Sequence, residues 1–490
     1  MLAYYLMAFL CGGFTMTLEL VASRLVAPVL GVSLYTWTSV IGAVLAGMSA
    51  GSFAGGWLAD RRDPRQILGP ILVVSGIAVA LIVPILPALH LAIPFLKAPL
   101  LRVALPILAV FGIPCFAIGL VSPVLYRICL NDPARTGSTV GRLAASGSLG
   151  SIAGTFATGF WLIPAFGTRA IVLGVSGGLL FLGVLAMTWK SRRERAVALV
   201  LVAAVAVGSL AGLNRFVRDG NVIESAYYRI KIATSVHPVG GIVKQLILDN
   251  LIHSAANPDN PDFLWYEYER VSAWVIRNWA PENVRALFVG GGGYTLPYWV
   301  ERRYPKGAVE VVEIDPEVTK IALSQFIVNP TKIVSLNEDG RTAVNNLPPG
   351  KKYDLIFGDA FNDLSVPYHL TTKEFAGLLR AHLSDNGVYV ANIIDTAGGG
   401  FLDAFTTTLS QVFPHIWIVA GSASAAHGVR SPHLVLASAS PLPVDKWTAP
   451  EDVDFAVNPR EPKNKGLVLT DDHAPVDNLL LPLFAAKLGI

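Results

Sequence analysis

The sequence predicts a two-part protein, in which a membrane-spanning α-helical bundle precedes a soluble α/β domain with a small β-rich segment at its start. Up to about residue 213 charged residues are rare, and apolar runs of roughly 20 residues recur, long enough for helices that cross a bilayer. From about residue 220 the composition becomes that of a soluble domain. With 490 residues, 53% hydrophobic and 15% charged, the chain is too long for one domain and too apolar for an ordinary soluble protein.

Seven membrane-spanning helices are predicted in residues 1–213, near 4–23, 38–58, 67–88, 102–124, 146–165, 169–189 and 195–213. Glycine and alanine are frequent in them, and small residues spaced four apart allow such helices to pack closely. The first run lacks a basic n-region and a small-residue cleavage site, so we interpret it as a retained span. Within that span Glu19 is a candidate functional carboxylate, and an ion pair with Arg24 is the structural alternative.

The soluble part is predicted to begin with a β-rich segment, residues 214–280, which continues into a larger domain over residues 281–490. Strand-like runs occupy 225–236 and 244–261, and a helical pattern follows over 263–280. Further apolar runs, including YDLIFGDA (353–360) and GVYVANII (387–394), alternate with helical stretches. This alternation predicts a parallel, doubly wound sheet.

Residues 286–315, ALFVGGGGYTLPYWVERRYPKGAVEVVEID, have the arrangement that binding of a nucleoside requires. A strand-like run ends in four glycines, a helical stretch follows, and a second apolar run ends in Glu313. Glycines let the backbone approach a ligand closely, and a carboxylate at the tip of the second strand can accept hydrogen bonds from both ribose hydroxyls. The interval of twenty residues between Gly293 and Glu313 fits this arrangement.

Six motifs follow one another in a characteristic order: ESAYYRI, LILDN, VGGGG, VVEIDP, NEDGR and YDLIFGDAF. This series resembles the spermidine synthase (polyamine aminopropyltransferase) family, and in particular its membrane-integrated branch, in which such a domain follows a helical bundle. The resemblance covers about residues 224–395, and the tail LTDDHAPVDNLL (469–480) is similar to that branch as well. It implies a Rossmann-like, S-adenosylmethionine-dependent transferase domain. The implied substrate is S-adenosylmethionine or its decarboxylated form, and no metal is implied.

The resemblance also implies roles for individual residues. The nucleoside loop of the family corresponds to Gly290, Gly291, Gly292 and Gly293. Glu313 corresponds to the ribose-binding acid, Asp339 to the acid that accepts a hydrogen bond from the adenine amino group, and Asp359 to the catalytic aspartate that takes a proton from the attacking amine. Solvation of a strand end or capping of a helix is the structural alternative for these acids.

Four departures from the family pattern fall in the part of the site that would bind a polyamine. Gly293 replaces an acid that holds the aliphatic amine of the ligand, and Asn362 replaces a second aspartate, with Asp363 beside it. His253 replaces a glutamine that faces the ligand, and Tyr266-Glu267-Tyr268 replaces Tyr-His-Glu. Because it replaces a residue that faces the ligand, we expect His253 to contact the cofactor. The candidate residues of the substrate pocket are Tyr228, Tyr266, Asn362 and Asp363.

The altered motifs leave several functions open. The family implies transfer of an aminopropyl group to a polyamine with release of methylthioadenosine. Loss of acids near the amine favours an S-adenosylmethionine lyase or cyclase, which would release methylthioadenosine and homoserine lactone without an amine acceptor. A methyltransferase shares the fold and the acid at position 313. A non-catalytic nucleoside sensor or transporter is the remaining alternative, since GGWLADRRDPR (55–65) resembles a loop of major facilitator transporters.

Charge and cysteine usage limit the partners. A net charge of +3 is too small to suggest a nucleic-acid partner, and all three cysteines lie in the membrane half, so no disulfide framework is implied. We expect a small-molecule substrate and the lipid bilayer as partners, and a homo-oligomer is left open.

Two arguments about the side of the membrane on which the soluble domain lies conflict with each other. Ten Lys and Arg residues follow the second, fourth and sixth spans, against four in the other loops, which places the first set in the cytoplasm. Seven crossings would then put the soluble domain outside, whereas a domain that uses a cytosolic nucleoside belongs inside. We expect a protein of the cytoplasmic (inner) membrane with its soluble domain on the cytoplasmic side. Either one span is miscounted, with the proline-rich region 84–114 as the first candidate, or the charge rule does not hold for this chain.

Overall fold

The computed structural model describes residues 1–30, 34–86, 99–130, 135–187, 222–237, 241–249, 251–327, 330–360, 366–396, 398–421, 430–447, 458–463 and 465–482, together with the isolated residues 197, 200 and 204. The chain forms two compact units, an N-terminal unit that extends to Ala226 and a C-terminal unit that begins at Tyr227. Each unit is described by itself below.

The N-terminal unit is helical. Its helices are α1 (Leu2–Leu30), α2 (Leu34–Arg61), α3 (Pro64–Ile85), α4 (Pro99–Ile107), α5 (Ile113–Gly119), α6 (Val121–Cys129), α7 (Thr136–Ala157), α8 (Ile163–Phe166) and α9 (Thr168–Ala186). π-helical turns at Leu108–Gly112 and Thr158–Leu162 join α4 to α5 and α7 to α8. The short strand β1 (Val222–Glu224) also belongs to this unit.

Six helical segments within the described residues are long and apolar enough to cross a membrane: Leu2–Ala27, Leu34–Arg61, Pro64–Ile85, Val103–Cys129, Thr136–Phe166 and Thr168–Ala186. They correspond to the first six predicted spans. The fourth extends beyond the predicted end at 124, because the helical path continues through α6 to Cys129. The predicted seventh span, 195–213, lies outside the described residues apart from positions 197, 200 and 204.

Glycines bring α1 and α7 into backbone contact. A Cβ atom added at Gly150 would lie 1.8 Å from the carbonyl oxygen of Phe9, and one added at Gly154 would lie 2.4 Å from that of Gly13. Close approach also allows the side chain of Thr158 to donate a hydrogen bond of 2.9 Å to Thr17. The small residues therefore serve helix packing, as the sequence predicts.

The C-terminal unit contains two sheets. The strands are β2 (Arg229–His237), β3 (Gly241–Leu248), β4 (Leu251–Ala256), β5 (Arg285–Val289), β6 (Ala308–Val312), β7 (Val334–Leu336), β8 (Tyr353–Gly358), β9 (Leu383–Asp395), β10 (His415–Ala420), β11 (Ser431–Ser438) and β12 (Asn458–Arg460). The helices are α10 (Glu267–Trp279), α11 (Thr295–Arg303), α12 (Pro316–Ile321), α13 (Gly340–Asn345), α14 (Lys373–His382), α15 (Gly400–Leu409) and α16 (Val476–Leu479).

The β-rich segment contains an antiparallel arrangement in which β3 pairs with both β2 and β4. The predicted strand region 244–261 is thus divided into two strands by a turn at Asp249. This residue has a φ of 54°, a left-handed conformation that Asp tolerates better than most residues. Its backbone N–H donates to the carbonyl of Arg229 at 2.8 Å, and its side chain accepts from the Arg229 N–H at 3.1 Å. These bonds hold the turn against β2.

The larger sheet has the strand order β7-β6-β5-β8-β9-β11-β10-β12. Strands β7 to β9 in this order pair in parallel, as in a Rossmann-like fold, whereas β11, β10 and β12 are antiparallel to their neighbours. The prediction of an all-parallel sheet is therefore wrong at this edge. The ten residues between β10 and β11 (421–430) are fewer than a crossover between parallel strands requires, so β11 runs antiparallel beside β10.

The central strands of this sheet are buried on both faces. Four consecutive residues of β5, from Ala286 to Val289, are at most 3% exposed, and Leu355 to Phe357 of β8 are equally buried. Such continuous apolar runs are typical of parallel strands covered on both sides. Because β5, β6 and β8 are parallel, Gly290, Glu313 and Asp359, which directly follow them, lie at the same edge of the sheet.

Candidate functional site

A cavity of about 750 Å³ opens at this edge of the sheet, within the C-terminal unit. Most of the sequence-predicted site residues line it: Tyr228, His253, Tyr266, Gly290, Gly291, Gly292, Glu313, Asp339 and Asp359. Gly293 is not part of the lining and lies beside a much smaller cavity. Asn362 and Asp363 fall outside the described residues.

The glycine loop turns sharply between β5 and α11. Gly290 has a φ of +100°, and a Cβ atom added to it would lie 2.3 Å from the carbonyl oxygen of Asp359. Its N–H donates to the carbonyl of Val312 at 2.8 Å, which joins the loop to the end of β6. Glycine is required here both by the backbone conformation and by the proximity of the neighbouring strand end.

Glu313 holds the same loop through its carboxylate. Oε2 accepts hydrogen bonds from the N–H groups of Gly291 at 3.0 Å and Gly292 at 3.2 Å, and Oε1 accepts from the N–H of Asp315 at 3.1 Å. Burial raises the pKa of Glu313, and the three backbone donors act in the opposite direction. The predicted ribose-binding acid therefore also organises the loop on which a nucleoside would lie.

The position of Gly293 has a packing explanation. Its N–H donates to the Ser254 hydroxyl at 2.8 Å. A Cβ atom added at 293 would lie 2.6 Å from the Cβ of Ser254 and 3.2 Å from a ring carbon of Phe326. No side chain fits there unless β4 or its neighbours move, so the acid that the family has at this position cannot be accommodated in this arrangement.

Asp359, at the end of β8, lies among polar groups. Its Oδ1 accepts a hydrogen bond of 2.9 Å from the Asn392 side chain on β9, and the Tyr268 hydroxyl donates a second one. Burial raises the pKa of Asp359 because it outweighs these two hydrogen bonds, which favour the charged form. A carboxylate held in this way is suited to accept a proton.

Asp339 has two kinds of contact. It caps α13, since its Oδ1 accepts from the N–H groups of Arg341 at 3.1 Å and Thr342 at 3.0 Å. Its Oδ2 lies 2.9 Å from His369 Nε2. Burial acts to raise the pKa of Asp339, but the hydrogen bonds from Thr342 and His369 prevail and lower it. Helix capping, the structural alternative, is observed, and Asp339 nevertheless lines the cavity.

The tail motif lies against the helix that Asp339 caps. Asp471 forms a two-pronged ion pair with Arg341, with both N–O distances at 2.6 Å, and accepts a bond of 2.8 Å from Thr372. Asp471 is not among the residues that line the cavity. The tail thus stabilises the start of α13 through contacts that lie outside the cavity.

His253 of β4 and Tyr266, which directly precedes α10, both line the cavity and are anchored by backbone carbonyls. His253 Nδ1 lies 3.0 Å from the carbonyl oxygen of Leu251, and the Tyr266 hydroxyl donates to that of Ile252. Tyr228 is partly buried and packs against the cluster formed by Ile230, Leu246, Leu248, Ala256, Val318, Ile321 and Phe326. Burial raises the pKa of Tyr228. The aromatic residues therefore serve both packing and the cavity wall.

Sequence reasoning missed several charged or polar residues of the cavity, among them Glu269, Asn392 and Arg430. Glu269 is only 1% exposed and accepts from the N–H of Tyr266 at 3.0 Å and from the Thr295 hydroxyl. The Glu269 carboxylate caps the start of α10 by accepting the Tyr266 N–H, and an acid in the first turn of a helix is a readable signal for such a contact. That the acid also faces a cavity is not readable from the spacing.

Within the described ranges, no cluster of three or more His, Cys, Asp or Glu side chains is placed to hold a metal ion. The absence of a metal stays a prediction.

Comparisons with known proteins were made by sequence and by structure. No protein-family model matches the chain. A polyamine aminopropyltransferase of Vibrio vulnificus is 36% identical over 137 residues, which are 27% of this chain and 45% of that protein. A probable polyamine aminopropyl transferase of Bifidobacterium longum is 32% identical over 130 residues, 26% of this chain and 28% of that protein. The predicted family resemblance is confirmed.

The chain spans less than half the length of these two relatives. The six apolar helices are consistent with the membrane-integrated branch of the family. Among solved structures, a probable spermidine synthase from Corynebacterium glutamicum is 21% identical, with a TM-score of 0.42, covering 45% of this chain and 80% of that one. A spermidine synthase in complex with the transition state analogue AdoDATO is 22% identical, with a TM-score of 0.36, covering 55% and 87%.

Proposed function

We propose that the C-terminal unit binds an adenosyl sulfonium, S-adenosylmethionine or its decarboxylated form, and cleaves the bond between the sulfur and the γ-carbon. The similarity to polyamine aminopropyltransferases supports one form of this reaction, in which an amine receives the aminopropyl group and methylthioadenosine is released. The observation that supports this most directly is that Glu313, Asp339 and Asp359 line one cavity. The glycine loop beside it is held by hydrogen bonds to Glu313 itself.

The chemistry requires little beyond positioning and one proton acceptor. A sulfonium activates the carbons bonded to it, so the amine nitrogen forms a bond to the γ-carbon while the carbon–sulfur electron pair returns to sulfur. Methylthioadenosine then leaves as a neutral molecule. The proton lost by the amine passes to Asp359, which Asn392 and Tyr268 hold in one orientation.

A second candidate function is favoured by Arg430. Among the described residues that line the cavity, Arg430 is the one with a permanent positive charge. A guanidinium matches a carboxylate, which intact S-adenosylmethionine carries and its decarboxylated form lacks. In a lyase or cyclase reaction, a carboxylate oxygen of the substrate would bond to its own γ-carbon. The carbon–sulfur bond would break, giving homoserine lactone and methylthioadenosine without an amine.

One experiment separates these functions. The full-length protein, purified in detergent, is incubated with each sulfonium separately, with and without putrescine, and the products are identified by mass spectrometry. We expect methylthioadenosine together with an aminopropylated amine. Methylthioadenosine and homoserine lactone from intact S-adenosylmethionine alone would establish the lyase. S-adenosylhomocysteine as the product would indicate a methyltransferase and refute the proposal.

A non-catalytic sensor is tested with two matched variants at the two ends of β8. Asp359→Asn lies at the cavity end, and Asp354→Asn lies near the opposite end, where Asp354 accepts from the Arg285 N–H at 3.0 Å. Turnover that survives in D354N and is lost in D359N supports the enzyme. Ligand binding without turnover in the wild type and in both variants would favour a sensor.

We further propose that the bundle lies in the inner membrane and that the C-terminal unit is cytoplasmic. The described cysteines Cys11, Cys115 and Cys129 are buried, so single cysteines introduced by Arg62→Cys and Glu282→Cys can be labelled over a low background. We expect both to be protected from an impermeant thiol reagent in intact cells and labelled after lysis. Labelling of E282C in intact cells would place the C-terminal unit outside.

A further inference from the structure

We infer that Glu269 binds the ammonium group of the sulfonium donor. This inference rests on the proposed function, because it assigns one residue of the same cavity to one group of the same ligand. S-adenosylmethionine and its decarboxylated form both carry such an ammonium on the chain attached to sulfur, whereas methylthioadenosine does not. Glu269 would therefore distinguish the donor from the product.

The geometry places the Glu269 carboxylate at the end of the glycine loop. Oε2 accepts the backbone N–H of Tyr266 at 3.0 Å, and Oε1 accepts the hydroxyl of Thr295. Thr295 is the first residue of α11 and comes two residues after Gly293, so the carboxylate lies where the loop passes into the helix. Glu269 and Thr295 both line the cavity.

The other described carboxylates of the cavity already have partners that explain them. Glu313 is occupied by three backbone N–H groups, and Asp339 by the cap of α13 and by His369. Asp359 is held by Asn392 and Tyr268 as the proton acceptor, and Glu338 accepts from the Asn346 side chain at 3.2 Å. Glu269 is the buried acid of the cavity wall that the proposed mechanism has not used.

An ionised carboxylate with a capacity of about four hydrogen bonds retains acceptor sites beyond the two donors at Glu269. Burial raises its pKa to about 7 and the charge of Asp359 acts in the same direction, while the hydrogen bonds from Thr295 and Tyr266 and the charge of Arg270 act against it. The guanidinium of Arg270 donates to the carbonyl oxygens of Leu264 at 3.2 Å and Trp265 at 2.7 Å. An arriving ammonium would bring a positive charge close to this buried carboxylate, where the low dielectric strengthens the attraction between them.

The decisive variant is Glu269→Gln, since glutamine keeps an oxygen that can accept the Tyr266 N–H. Binding of each donor and of methylthioadenosine to the full-length protein is measured by calorimetry in detergent. Loss of a charge-assisted hydrogen bond predicts roughly 10- to 100-fold weaker donor binding. Methylthioadenosine affinity should stay unchanged. Glu282→Gln removes the same charge from a side chain that is 83% exposed and should affect neither ligand.

The outcomes separate this inference from the proposed function. A wild type that binds neither the donors nor methylthioadenosine refutes the proposed function itself. If E269Q weakens donor and methylthioadenosine alike, or leaves both unchanged, Glu269 has only a structural role and the inference fails. A second variant, Thr295→Val, keeps the charge and removes one anchor of the carboxylate. It should weaken donor binding less than E269Q does, again without an effect on methylthioadenosine.

Discussion

Replacing Glu313 by glutamine removes the charge that organises the glycine loop. In the wild type the two carboxylate oxygens accept three backbone N–H groups, from Gly291, Gly292 and Asp315, at 3.0 to 3.2 Å. A glutamine has one oxygen, so its amide NH₂ must face at least one of these donors. The variant therefore loses one or two hydrogen bonds and leaves backbone donors of the loop without an acceptor.

A hydrogen bond to a charged group contributes about 1.5–3 kcal/mol. Burial opposes the charge at Glu313, as its raised pKa indicates, so part of the loss is offset. We expect a net destabilisation of about 2 kcal/mol, which for a domain of this size lowers the Tm by roughly 4–8 °C. Methylthioadenosine binding should weaken about tenfold or more, because the loop and the ribose acceptor are both changed.

The assay combines thermal unfolding of the full-length protein in detergent with calorimetric titration of methylthioadenosine. Glu310→Gln is the matched control, since Glu310 lies on β6, the strand that directly precedes Glu313, and accepts from Lys351 at 2.7 Å and Tyr353 at 3.0 Å. A glutamine can still accept from both, so a change below about 1 kcal/mol and unaltered ligand binding are expected. The reasoning is refuted if E313Q and E310Q have the same Tm and the same affinity.

Three further predictions concern the proton acceptor, the loop and the tail. Asp359→Asn should lower kcat by about 10²- to 10⁴-fold, with methylthioadenosine affinity unchanged in the same titration; retained turnover would exclude Asp359 as the base. Gly290→Ala places a Cβ 2.3 Å from the Asp359 carbonyl at a φ of +100°, so we expect ligand binding to be lost and the Tm to fall, as circular dichroism would show. The hydrogen bond from Arg341 lowers the pKa of Asp471, so its stabilising effect is present above about pH 4 and is lost as pH falls below that value. With Asp471 42% exposed, Asp471→Asn should cost at most about 1 kcal/mol at pH 7 and less at pH 3, and an equal cost at both values would contradict the ion-pair argument.

The sequence was sufficient for features that depend on short stretches of chain. Apolar runs of membrane-spanning length predict the six described helices, since length and composition alone set that property. Glu313 and Asp359 were predictable because each directly follows an apolar strand, and parallel strands bring their carboxyl ends to one edge. The place of Glu269 in the first turn of α10 was readable in principle, because acids favour the N-termini of helices.

Other features depend on contacts between distant segments. The order of the strands at the antiparallel edge, with β11 between β9 and β10, is not specified by the alternation of strands and helices. The sequence showed that Gly293 lacks an acid, but only the structure shows Ser254 of β4 so close that no side chain fits. Likewise, Asp339 was expected to bind a ligand, and the structure adds its cap and its contact with His369.

By itself, the sequence determined that apolar helices precede a Rossmann-like domain related to polyamine aminopropyltransferases, and which acids end its strands. Periodicity and local motifs carry this information because they act over a few neighbouring residues. Only the tertiary structure decided which acids share the cavity, and that Glu269 is among them. The direction of a buried side chain depends on packing between α10, α11 and the glycine loop, elements whose approach no single stretch of sequence encodes.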